Sequence, residues 1–126
     1  TDGTPPAGEW VAYRELSGGR FYEPVVRRSV EEPLAQAFSA DLEGFSSACK
    51  GLHGSPLSMG DSSFFFALFP HVLLAFILWC ADMEFPARAQ VLLDSASVRH
   101  LNAFDLRMGA QEISTKLIRA GGGNDG

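Results

Sequence analysis

A chain of 126 residues is the size of one domain, and 46% hydrophobic with 20% charged residues excludes wholesale disorder. A net charge of −5 offers no basic surface for general nucleic-acid binding. Two cysteines, Cys49 and Cys80, are too few for a disulfide framework and stand in no metal-ligand spacing. Both have apolar neighbours, so they read as buried free thiols in a reducing, cytoplasmic setting.

Residues 1–8 (TDGTPPAG) read as a linker, which fits a fragment or a processed form of a longer protein. Trp10 to Leu16 is a plausible strand, broken by Ser17-Gly18-Gly19. From Phe21 the period changes. Tyr22, Val26, Val30, Leu34 and Phe38 recur every four residues and form one helical face. Pro24 is tolerated in a first turn, whereas Pro33 removes an internal hydrogen bond and predicts a kink or a restart. Asp41 can cap a further short helix with Leu42, Phe45 and Cys49 on one side, ended by Gly51. Residues 53–60 (HGSPLSMG) are a loop by composition.

The run 62–81 (SSFFFALFPHVLLAFILWCA) holds no Asp, Glu, Lys or Arg and is as long as a membrane-spanning helix. Pro70-His71 divides it into two aromatic-rich halves of strand length, with Asp61 before it and Asp82 and Glu84 after it. A buried β-hairpin over 62–80 is therefore preferred to a membrane helix. Residues 82–88 read as a connection and Ala89 to Leu93 as a third strand, closed by Asp94-Ser95. The last helix has Asn102 as N-cap, Asp105 three residues on, and Leu101 with Leu106 as a hydrophobic staple. Leu106, Ala110, Ile113 and Leu117 form its apolar stripe, and AGGGNDG from Ala120 reads as a flexible tail. The expected fold is α+β: an antiparallel sheet built on the central hairpin, with helices packed mainly on one face. Because the hairpin is apolar on both faces, the other face is expected to use a second copy or an absent N-terminal part.

Glu84-Phe85-Pro86 after a tryptophan, then Val91-Leu92-Leu93-Asp94-Ser95-Ala96-Ser97, then Leu101 and Asp105-Leu106, resemble domain of unknown function 3786. Tyr13-Arg14-Glu15-Leu16, Gly18-Gly19 and Gly60-Asp61 agree with that resemblance, which runs roughly from Gly8 to Arg119. Ala81-Asp82-Met83 and Asn102-Ala103-Phe104 depart from the expected, more acidic patterns. The resemblance implies an α+β domain of the prokaryotic cytoplasm. It implies no activity, so no functional residue is carried over from it.

The polar residues form weak constellations. A meander would gather Asp61, Asp82 and Glu84 at one end of the sheet, a set of oxygens that suits Mg²⁺ or Ca²⁺. The plainer reading, solvated loop carboxylates, is preferred, and no metal site is assigned. His71 and Asp94 would lie at the other end, where a carboxylate could orient an imidazole for base catalysis. No nucleophile stands beside that pair. Gly18, Gly19 and Arg20 could hold an anion at a helix start, though a structural turn is the simpler account. Trp79 and the hairpin phenylalanines could line a pocket for a planar cofactor or be plain core, and no cofactor is named by the sequence.

Two function classes remain. One is a non-catalytic binding or accessory module that docks a partner protein or small cofactor through the sheet, with excess apolar surface behind it. The alternative is a metal- or cofactor-dependent enzyme using the acidic end of the sheet.

Overall fold

The computed structural model describes residues 9–15, 19–69, 72–94 and 103–121. Expectations about the 1–8 linker, Gly18, His71, Ser95, the Leu101 staple, the Asn102 cap and the end of the tail lie outside the described residues.

The run 62–81 folds as the expected hairpin. Strands β3 (Ser62–Phe69) and β4 (Val72–Trp79) pair antiparallel, with Phe64 opposite Phe76 and Phe66 opposite Leu74. Strand β5 (Arg88–Asp94) continues the meander on the far side of β4. Two short edge strands complete a five-stranded antiparallel sheet: β2 (Ser55–Leu57) beside β3, and β1 (Trp10–Val11) beside β5. Two expectations change here. The predicted strand from Trp10 stops after two residues, because Tyr13–Glu15 turns as a 3-10 helix and sinks the Tyr13 ring into the core. The 53–60 segment is more than a loop, since Pro56 sits in an edge strand, where its missing N–H costs no ladder bond. Among the described residues, no helix is long and apolar enough to cross a membrane.

Helix α1 (Gly19–Val26), a π-helical stretch (Arg27–Glu31) and α2 (Glu32–Ala37) follow without interruption. Neither the kink nor the restart predicted at Pro33 occurs in its simple form. The widened turn lies just before the proline, and the Glu32 N–H donates to the Arg27 carbonyl five residues back. Helix α3 (Leu42–Gly51) begins as expected, with the Asp41 carboxylate accepting from the Gly44 N–H at 2.9 Å. It also ends at Gly51 as expected, but the left-handed residue lies two positions on. His53, not Gly51, takes the left-handed backbone at φ 67°, while Gly54 N–H reaches the Cys49 carbonyl and His53 N–H the Lys50 carbonyl. Helix α4 (Ala103–Ala120) buries Leu106, Ala110 and Leu117 as its stripe requires.

The helices share one face of the sheet. Val26, Val30, Leu34, Phe38, Phe45 and Leu117 pack with Phe64, Phe66, Leu74, Phe76, Leu78, Val91 and Leu93. The Phe45 ring sits edge-on to both Phe38 and Phe64, joining α3 to α2 and to β3. On the opposite face, Phe65, Leu73 and Ala75 form a second cluster with Trp10, Leu57 and Leu92 at its margin. Among the described residues that cluster contains only strand side chains. Ile77 lies on the same face and is buried under Gly60, whose φ of +58° admits the turn. Phe65, Leu73, Ala75 and Ile77 at the centre of this face are each buried.

Candidate functional site

The meander brings together one end of the sheet, where β4 leaves at Trp79 and β5 begins at Arg88. Asp61, Trp79, Asp82 and Glu84 all lie at this end, as the sequence led us to expect. Their carboxylates do not converge on a point. The Asp61 carboxylate accepts from the Cys80 N–H at 2.8 Å, and the Asp61 N–H donates to the Leu78 carbonyl at 2.9 Å. The Asp82 carboxylate turns back on its own loop and accepts from the Glu84 and Phe85 N–H groups, both at 2.8 Å. Those two bonds, Phe85 first, hold the Asp82 carboxyl below the usual carboxylate range. Among the described residues, no group of three His, Cys, Asp or Glu is placed to hold a metal ion.

What these carboxylates do is fix a backbone. Ala81 N–H donates to the Ser39 carbonyl at 2.8 Å, tying the exit of β4 to the end of α2. Asp82 N–H donates to the Phe85 carbonyl at 2.9 Å, closing the turn. The N–H groups of Cys80, Ala81, Asp82, Glu84 and Phe85 are all hydrogen-bonded, and these five links hold the segment in one shape. That shape points two large apolar side chains into solvent: Met83 is 102% exposed and Phe85 is 67% exposed. Asp82 and Glu84 alternate with them, and both are exposed. A recess of about 410 Å³ opens beside the turn, lined in part by Glu32, Gln36, Ser39, Pro86 and Ala87.

The base of the turn is braced from the other face. The Arg88 guanidinium lies 4.1 Å from the centroid of the Trp79 ring, and Gly60 packs against the same ring. Trp79 is therefore engaged by the chain's own cation. Cys80 is a half-buried free thiol, and burial, Asp61 and Asp41 together push its pKa up. Cys49 is fully buried and pushed up to about 12 by burial alone. Neither is tuned toward a thiolate.

The remaining candidates lie elsewhere. Gly19 is buried as the first residue of α1 and Arg20 is exposed beside it. Glu31, which sequence reasoning passed over, accepts from the Val91 N–H at 2.9 Å. It thereby closes the edge of β5 beyond the reach of the two-residue β1. Met83 and Phe85 were also missed, because residues 82–88 read only as a connection. The available signal was two large apolar residues alternating with two acids in a segment that is otherwise a link.

No curated protein and no solved structure matches the chain. A family model does, over residues 1–115 and so across the sheet, the turn and most of α4. The chain thus belongs to the family described as domain of unknown function DUF3786.

Proposed function

We propose that this domain is a non-catalytic binding module that docks a partner protein through the turn at residues 82–86. One observation carries the reading: Met83 and Phe85 stand in solvent on a backbone fixed by hydrogen bonds. Exposed apolar side chains on a fixed turn suit association, because little conformational freedom is left to lose on docking. The alternating Asp82 and Glu84 add a negative rim, and Asp61 and Asp41 extend the acidic character toward Cys80. The complementary partner is a protein with an apolar socket bordered by Lys or Arg. The unpaired Cys49 and Cys80 support a reducing compartment, the cytoplasm of a prokaryotic cell. Nucleic acid is a poor match for an acidic rim.

The experiment is affinity capture from the native host with wild type, Met83→Ser/Phe85→Ser, and Phe21→Ser. Phe21 is an exposed aromatic residue on α1 and serves as the control. A protein held by wild type and by Phe21→Ser, and released by the double substitution with an unchanged thermal melt, supports the reading. Equal retention by all three sinks it. Sedimentation of the same variants distinguishes a second copy from a different partner.

A further inference from the structure

We propose that Asp94 is the anion of a second, closed site, away from the docking turn, that takes the protonated amine of a small ligand. Asp94 ends β5, is 0% exposed, and has, among the described residues, no hydrogen-bond partner for either carboxylate oxygen. Buried polar groups are ordinarily satisfied, and the two other buried polar side chains among the described residues obey that rule. Ser63 accepts from the Met59 N–H and Ser114 donates to the Val30 carbonyl. An unpaired buried carboxylate is costly, so its retention calls for a positive group that the described chain does not supply.

The surroundings select the kind of cation. Mg²⁺ and Ca²⁺ collect several oxygen ligands, and Asp94 belongs to no such group among the described residues. Its cross-strand partner is Trp10, and directly opposed residues share a face with Cβ atoms about 4.5–5.5 Å apart. The Trp10 ring meets Phe65 at 5.9 Å, and Leu92, two residues before Asp94 on that face, lies at the margin of the same cluster as Leu73. A carboxylate set against an indole and aliphatic wall suits an alkylammonium. Its N–H groups bond the oxygens, its charge meets the ring face, and its hydrocarbon body meets the wall. Entry has a route in the topology. Among the described residues β1 is two residues long, lies at the sheet edge and pairs with β5 alone, so its detachment is a small local opening.

The test is thermal melting of the full chain in n-butylammonium chloride against sodium chloride at equal ionic strength, followed by carboxyl-carbon NMR of Asp94. The proposal expects the midpoint to rise by several degrees with the amine and the Asp94 resonance to move in step. Asp94→Asn should abolish the rise, and Trp10→Leu should weaken the response severalfold. An equal rise in wild type and Asp94→Asn overturns the site. A rise produced by Mg²⁺ rather than by the amine overturns the ligand class. If Asp94→Asn does not fold, the wild-type titration decides alone: an Asp94 resonance unmoved by the amine overturns the proposal.

Discussion

Arg88 and Trp79 are direct cross-strand partners, and the guanidinium of one covers the ring of the other at 4.1 Å. The pair clamps β4 to β5 at the point where the turn departs. Arg88→Gln should cost about 0.5–1 kcal/mol, the usual worth of an exposed cation–ring contact. In a Trp79→Leu background the same change should cost almost nothing. A double-mutant cycle in urea measures the coupling, and additive effects would show that the contact is idle.

Asp82 should govern the order of the turn. Asp82→Ala removes the acceptor for two N–H groups, so amide exchange should accelerate at Glu84 and Phe85 while β4 stays protected. Asp82→Asn keeps an acceptor oxygen without the charge and should accelerate exchange less than Asp82→Ala. The native pKa is lowered, so the stabilising contribution is present above the usual carboxylate range and fades as pH falls through the lowered value. EDTA should leave the thermal midpoint unchanged, because the carboxylates here bond backbone rather than converge on an ion.

Glu31 should have the opposite pH signature. Burial raises its pKa, only partly offset by the Val91 N–H and by Arg27 and Arg88. Between the ordinary carboxylate pKa and the raised value, the native state binds more protons than the unfolded chain. Stability from this group is therefore present at low pH and lost as pH rises through the raised pKa. Glu31→Gln should flatten that part of the pH–stability curve. Glu31→Ala leaves the Val91 N–H without its acceptor and should cost about 1–3 kcal/mol.

His53 occupies the left-handed position that ends α3, at φ 67°. A non-glycine residue there carries a penalty of about 1–2 kcal/mol. His53→Gly should raise stability by about 1 kcal/mol in chemical denaturation, the gain being reduced by the greater freedom of glycine in the unfolded chain. A loss of stability would show that the imidazole makes a contribution larger than the strain.

The meander and the stripes of α3 and α4 were legible because each rests on local pattern. Phe64 and Phe76 follow from strand-length apolar runs, and Leu106 to Leu117 from helical spacing. Trp10 misled because the chain leaves the sheet when Tyr13 finds the helical core, a tertiary preference invisible in a short aromatic segment. Pro56 hid β2, since a proline is compatible with a strand only at an edge that the rest of the fold defines. For the candidate site, Asp61 and Asp82 could be placed at one end from topology, but not their hydrogen bonds. The exposure of Met83 and Phe85 depends on the Ser39 and Phe85 carbonyls, one of them more than forty residues upstream. Asp94 looked like a strand terminator, and its burial follows from pairing with Trp10 across most of the chain.

The π-helical stretch Arg27–Glu31 has a consequence for how this helix tolerates changes in length. A spacing of four residues overshoots a full α-helical turn by about 40°, so four such steps would carry Phe38 about 160° away from Tyr22. Yet Val26, Val30, Leu34 and Phe38 are all buried on the same side. The wide turn absorbs the surplus residue and resets the phase before Pro33. Removing one residue within that stretch should tighten it to an ordinary turn and leave the flanking faces aligned. Members of this family one residue shorter here would show a gap in alignment and no gap in the core.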